Sequence, residues 1–185
     1  DTWQKQCFHF GLNHEMKKVE GIAKTGEHFT ITLEGGESVE AMTVIVCTGS
    51  TPKRAGFKGE DEFFGKGVST CATCDGFFYK NKPVTVLGGG DTALEEAFYL
   101  SNICSDVYVV HRREEFRAAP PTLNRVMRKE NIHLVTNSVI GEALGDAMGL
   151  TGVDIKNNDG TITHMDNTGL FVFVGHDVNN SVLKD

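Results

Sequence analysis

Two cysteines three residues apart, Cys71 and Cys74 in Cys-Ala-Thr-Cys, are followed directly by an acid, Asp75. That spacing lets both sulfurs meet on one helical turn and close a small disulfide ring. A helix start can also lower a thiol pKa toward physiological pH. Asp75 can give a proton to a leaving thiolate. Cys71, Cys74 and Asp75 are therefore candidate catalytic residues of a redox dithiol. Two plainer readings stay open. One is an inert structural pair. The other is a zinc site, which would want a second ligand pair; no second Cys-x-x-Cys is present, and Cys47, Cys104, His111 and His133 are scattered donors that could assemble one. Cys7, Cys47 and Cys104 read as small buried hydrophobes.

A second group of residues points to a nucleotide. Gly88-Gly89-Gly90-Asp91-Thr92-Ala93 matches G-x-G-x-x-A, with a strand pattern before it and a helix pattern after it. Gly88 permits the tight turn. Gly90 lets a pyrophosphate approach the backbone at a helix N-terminus, where N–H groups and the dipole favour an anion. Ala93 keeps helix and strand close. The alternative is a glycine-rich turn with no ligand. About 20 residues past the loop, where an NAD site places an acid, the chain has His111-Arg112-Arg113 and then Arg117. Guanidinium forks suit a 2′-phosphate, so the cofactor reads as NADP(H). A solvated basic turn balanced by Glu114 and Glu115 is the other possibility.

Hydride moves two electrons at once, whereas a dithiol exchanges through sulfur nucleophiles. A flavin is the usual intermediary, so the two motifs together predict one.

These residues need elements to position them. Val84–Leu87, a helix from about Asp91 to Ile103, Asp106–Val110, a helix from Pro120 to Glu130 and Ile132–Thr136 give β-α-β-α-β, the pattern of a parallel sheet. In the first helix Leu94, Ala97 and Phe98 share a face. Short strands near 150–155 and 161–165 flank the turn Asn158-Asp159-Gly160, and Leu170–Val174 is a last buried strand. Before the dithiol, Phe29–Leu33 reads as a strand, Glu34–Glu37 as a hairpin turn and Met42–Cys47 as a buried strand; 53–70 reads as a linker or surface loop.

Composition agrees with a globular chain. Of 185 residues, 39% are hydrophobic and 23% charged. Glycine, at 21 residues, exceeds the usual share of about 7%. The net charge of -7 excludes a basic nucleic-acid footprint at the level of the whole chain. No apolar run suits a membrane span, and the polar start at Asp1 has no signal-peptide core. An odd cysteine count without such a signal argues for a cytoplasmic setting.

Taken in order, Cys71–Tyr79, Gly88–Ala97 with Glu95-Glu96, His111–Arg113 with Phe116-Arg117, and Leu170–His176 resemble the low-molecular-weight bacterial thioredoxin reductases over essentially the whole chain. The resemblance implies an α/β, Rossmann-like three-layer NADPH-binding domain with a β-meander at 54–174. Incomplete segments of an FAD-binding domain flank it at 1–53 and 175–185. It also implies hydride transfer from NADPH to FAD, then to the Cys71–Cys74 disulfide, then to thioredoxin. Cys71 would attack the thioredoxin disulfide, Cys74 would face the flavin, and Asp75 would be the acid. The nucleotide site would include Glu96, and Thr48-Gly49 would mark the FAD side. A homodimer is implied. The family's own G-x-G-x-x-G loop for FAD has no match in this chain. The expectation is thus part of such a reductase, binding NADP(H) and holding FAD poorly. A reductase for another disulfide partner, such as a peroxiredoxin, would share these motifs. A non-catalytic NADP(H)-binding module is a third reading.

Overall fold

The computed structural model describes residues 2–183. Asp1, Lys184 and Asp185, the extreme ends of the two flanking segments, lie outside the described residues. The chain divides into two compact units, Asp1–Ser50 with Val178–Asp185, and Thr51–Asp177. The sequence places these joints at 53/54 and 174/175.

The first unit holds helix α1 (Thr2–His9) and a three-stranded antiparallel meander, β1 (Val19–Thr25), β2 (His28–Leu33) and β3 (Ser38–Ala41). The turn expected at 34–37 is present: the Leu33 N–H donates to the Glu37 carbonyl at 2.8 Å. Strand β2 pairs through it with β3. Met42–Cys47 is not a buried strand. It is exposed coil, with Met42 70% and Ile45 89% accessible. An apolar run becomes a buried strand only against neighbouring strands, and no named strand among the described residues includes or pairs with it. Cys47 in this coil and Cys7 on α1 are accordingly exposed, contrary to the sequence reading, whereas Cys104 is buried. Burial lifts the Cys104 thiol pKa to about 11. Strand β4 (Ser50–Pro52) leads to the second unit.

In the second unit, β5 (Val68–Ser69) precedes α2 (Ala72–Asp75) and a 3-10 turn, Gly76–Tyr79. Then follow β6 (Val84–Leu87), α3 (Asp91–Leu100), β7 (Val107–Val110), α4 (Pro120–Met127) and β8 (Ile132–Val135). Next come β9 (Ser138–Asp146), β10 (Gly149–Asn157), β11 (Ile162–Asp166), β12 (Gly169–Val172) and β13 (His176–Val178). A five-stranded sheet runs β5-β12-β6-β7-β8, parallel throughout.

Its valine-rich strands are buried on both faces, as parallel strands require. The side-chain period of two divides them. Val84, Val86, Val107, Val109 and Phe171 pack with Leu94, Ala97, Leu100 and Val126 of α3 and α4. Leu87, Val110, Leu170 and Val172 pack with Ile140, Val153 and Ile155 of β9 and β10. The layers are helices, parallel sheet and antiparallel β9–β11 meander, the three-layer α/β arrangement expected. Prolines in the first turn start α4.

Two readings need correction. Strand β9 is absent from the sequence reading because Gly141 and Gly145 break its alternation. Gly145 is required where the ring of Phe63 crosses, a Cβ there lying 2.5 Å from it. The segment 53–70 is no free linker. The Glu60 carboxylate, buried to 4% exposure, accepts the Ala55 N–H at 3.0 Å and the Gly56 N–H at 2.6 Å. Phe63 is buried, and the Lys58 carbonyl accepts the Ala143 N–H at 2.8 Å. Each contact is made once, so no period shows in the sequence.

Candidate functional site

The buried strand β5 presents the dithiol. Cys71 is extended (φ -141°, ψ 97°) and stands immediately before α2. Cys71 and Cys74 form a disulfide, with Cα atoms 5.3 Å apart. The Cys74 N–H also donates to Cys71 Sγ at 3.2 Å. Cys71 is half-buried and Cys74 exposed. The hydroxyl of buried Ser69 organises the turn: it accepts the Cys71 N–H at 3.0 Å and donates to Asp75 Oδ2 at 2.6 Å. Asp75 is thereby tied to the strand that precedes the disulfide. Sequence reasoning missed Ser69; its signal is a serine two residues before the cysteine, placed to bond nearby backbone. Phe77 and Phe78, each 72% exposed, follow the disulfide.

The glycine loop lies where β6 ends and α3 begins, and it opens on a cavity of about 470 Å³, within the range of small-ligand sites. Gly88 (φ +153°) has no room for a side chain: a Cβ would lie 2.5 Å from the Phe173 carbonyl oxygen and 2.7 Å from the Ala93 Cβ. At Gly89 a side chain would run into the His111 ring. Gly90 is different, because nothing lies within 4 Å of where its Cβ would be. Its backbone borders open space at the start of α3, which is the cradle a phosphate needs. Gly88, Gly89, Gly90, Thr92 and Ala93 line the cavity, as do Arg112 and Arg117. Lys53, Arg54 and His176 line it as well, with Thr70, the residue before Cys71. None of these four was read as a cavity residue: Lys53, Arg54 and Thr70 lie outside any motif, His176 closes the Leu170–His176 motif with no role assigned, and they meet only through the fold.

His111 lines the cavity as well, whereas Asp91, Arg113 and Glu96 do not. His111 is buried, its Nε2 3.2 Å from the Glu115 carbonyl and its ring stacked on Phe116. Its pKa falls below the ordinary value, chiefly through burial and further through Arg112, Arg117 and Arg113, against the bond to Glu115. Asp91 Oδ1 accepts the Ala119 N–H at 2.8 Å, tying the starts of α3 and α4. Arg113 is exposed and does not line the cavity. Neither Glu114 nor Glu115 forms an ion pair with Arg112, Arg113 or Arg117 among the described residues. Glu96 lies on α3 away from the cavity lining. Its Oε2 is buried without a hydrogen-bond partner among the described residues. Burial, and then neighbouring Glu95, raise its pKa.

The scattered zinc donors do not converge. Cys104 is in the helix-side core, His133 contacts Asp106 at 2.9 Å, and His111 is held by Glu115. No cluster of three or more His, Cys, Asp or Glu able to hold a metal occurs among the described residues.

The residues present fit a nicotinamide nucleotide: a glycine cradle with open space, a helix start, and two guanidinium groups along one cavity with no ion pair among the described residues. They do not by themselves fit a flavin. Thr48 and Gly49 belong to the other unit, where their carbonyls accept the Asn179 side-chain N–H at 3.2 Å and the Asn179 backbone N–H at 3.0 Å. The coil before them is exposed.

Comparison with known proteins agrees with this geometry. The model of the pyridine nucleotide-disulphide oxidoreductases matches residues 5–185. A thioredoxin reductase of Helicobacter pylori is 56% identical over 98% of this chain and 59% of its own length. A glucosaminate ammonia-lyase of Pseudomonas fluorescens is 45% identical over 86% of this chain and 48% of its own length. Among solved structures, a thioredoxin reductase from Giardia duodenalis superposes with a TM-score of 0.82 at 39% identity, covering 99% of this chain and 60% of that one. The Lactococcus lactis thioredoxin reductase gives 0.81 at 32% identity, covering 98% and 60%. The chain thus spans about three-fifths of the length of its first relatives. With a glycine-loop cavity and a disulfide in one unit, and this match over nearly its whole length, the chain belongs to the pyridine nucleotide-disulphide oxidoreductase family.

Proposed function

We propose that this chain carries the nucleotide and disulfide machinery of an NADPH-dependent thioredoxin-disulfide reductase. The observation that carries the reading is the disulfide beside the nucleotide cavity: Thr70 lines the cavity and Cys71 follows it. NADP(H) is held with its pyrophosphate at Gly88–Ala93 and its 2′-phosphate at Arg112 and Arg117. The net reaction takes NADPH, a proton and a partner disulfide to NADP+ and a partner dithiol. Within it the Cys71–Cys74 bond is reduced and then re-formed. In the exchange, one thiolate attacks the partner disulfide to give a mixed disulfide, and the other cysteine displaces the reduced partner. Asp75, oriented by Ser69, holds the proton that balances the departing thiolate.

Cys71 is assigned to the attack and Cys74 to the flavin side on the resemblance alone; exposure ranks them the other way. FAD is proposed as the two-electron carrier between nicotinamide and disulfide, on the family's account and because hydride and thiol chemistry need one. The exposed Phe77 and Phe78 support a protein partner, since exposed aromatics beside a reactive group favour docking. The relatives named thioredoxin reductase support thioredoxin as that partner, and a homodimeric, cytoplasmic enzyme is proposed on the family resemblance. No helix among the described residues is long and apolar enough to cross a membrane.

One relative is named as a lyase; what supports the reductase reading for this chain is the Cys71–Cys74 disulfide beside the cavity. Cys74→Ser in an FAD-loaded reductase that contains this chain should abolish NADPH-dependent reduction of oxidised thioredoxin and leave NADP+ binding unchanged. Retained reduction would refute the role given to the pair.

A further inference from the structure

The turn Arg112–Arg117 carries cations of the nucleotide cavity, yet its arginines are exposed and form no ion pair among the described residues. What fixes the turn is its backbone. The Arg117 N–H donates to the Gly89 carbonyl at 2.8 Å, and the Ala119 N–H donates to Asp91 at 2.8 Å. The Arg113 carbonyl also accepts the Asn137 N–H at 3.3 Å, and His111 supplies a further tie through its side chain. Its Nε2 lies 3.2 Å from the Glu115 carbonyl, and its ring stacks on Phe116 with centroids 5.0 Å apart. The same ring lies against Gly89, where no side chain would fit. One imidazole therefore touches both the glycine turn and the arginine turn.

Its chemistry suits a brace better than a ligand. A carbonyl can only accept, so the proton sits on Nε2 and is committed to Glu115. Nδ1 then offers a lone pair, which repels a phosphate. Burial at 5% exposure among three arginines also disfavours a second proton.

We propose that His111 is a positioning residue that sets the preference for NADP over NAD. It braces the Arg112–Arg117 turn against Gly89 so that Arg112 and Arg117 stand along the cavity, and it makes no bond to the nucleotide. The proposal rests on the reading of the cavity as an NADP site.

The test is calorimetric titration of NADP+ and NAD+ into the wild-type protein, His111→Gln and His111→Asn, with thermal melts confirming the fold. A glutamine amide reaches the place of Nε2, and an asparagine amide reaches that of Nδ1. His111→Asn should weaken NADP+ about tenfold, the loss of roughly one hydrogen bond's worth of order, with NAD+ changed by under about twofold. His111→Gln should recover most of the affinity. The opposite order, with Asn tolerated and Gln not, would show a contact through Nδ1 and overturn the proposal. Equal weakening of both nucleotides would overturn it too. If neither variant folds, Phe116→Leu, which removes the stacking ring, should weaken NADP+ severalfold and spare NAD+; no selective loss overturns the proposal. A wild-type protein that binds NADP+ no better than NAD+ would instead sink the NADP reading itself.

Discussion

Replacing Gly90 with alanine separates folding from binding at this site. Gly90 has φ -97° and ψ 178°, an extended conformation open to any residue, and its added Cβ would meet nothing within 4 Å. Loss of glycine's unfolded-state freedom stabilises by about 0.4–1 kcal/mol. Alanine is a poorer residue than glycine just before a helix, by a similar amount. The two nearly cancel, so the melting temperature should move by no more than about 2 °C. The open space, however, is where a pyrophosphate would reach the first N–H groups of α3. A methyl group there removes one charge-assisted hydrogen bond, worth about 1.5–3 kcal/mol. NADP+ affinity should therefore fall roughly tenfold to a hundredfold. Differential scanning calorimetry and isothermal titration on the same preparation read both quantities. Gly88→Ala is the counterpart: its Cβ would lie 2.5 Å from the Phe173 carbonyl oxygen. That overpacking costs about 1–3 kcal/mol and should lower the melting temperature by several degrees. Unchanged NADP+ affinity in Gly90→Ala would refute the placement of the phosphate on this turn.

Other consequences can be read separately. Arg112→Ala and Arg117→Ala should each weaken NADP+ far more than NAD+, while Arg113→Ala, whose side chain is outside the cavity lining, should do so least; equal effects of all three in calorimetric titration would contradict the geometry. Ser69→Ala should lower stability by about 1–2 kcal/mol in urea melts, because it leaves the Cys71 N–H and one Asp75 oxygen without their partner; a neutral result would remove Ser69 from the site. With the disulfide intact, thiol reagents should label exposed Cys7 and Cys47 quickly and Cys104 only on unfolding, since burial holds that thiol at about 11; rapid labelling of Cys104, read by mass spectrometry, would contradict its burial. Asp154 first, and then Asp166, raise the pKa of His164 above the ordinary 6.5. The stabilisation from that charge is complete below the ordinary value and disappears as pH rises through the raised one. Asp154→Asn should return the NMR titration midpoint of His164 toward 6.5, and an unmoved midpoint would reject the pairing.

The parallel sheet was legible because its strands are short valine-rich runs separated by helix patterns, and Gly88–Ala93 sits between one such strand and one such helix. The dithiol was legible from spacing alone. Ser69 was not, because a serine that bonds a neighbour looks like any other serine until the turn forms. Nor were Lys53, Arg54 and His176 as cavity residues, since they reach it from segments distant in sequence. Asp91 and His111 were read as ligands because they fall inside motifs; the fold turns an Asp91 oxygen to Ala119 and the His111 Nε2 to Glu115, while His111 still lines the cavity. Met42–Cys47 misled for a related reason. Its apolar character specifies burial, but a strand also needs a partner, and none is found among the described residues.

The central claim is that electrons from a nucleotide in this cavity reach the Cys71–Cys74 disulfide. Incubating an FAD-loaded reductase that contains this chain anaerobically with NADPH, trapping free thiols with an alkylating reagent and locating the adducts by mass spectrometry tests it most directly. The account predicts that Cys71 and Cys74 become alkylated with NADPH and much less with NADH. A disulfide that stays closed in the presence of NADPH, while a chemical reductant opens it, would contradict the account.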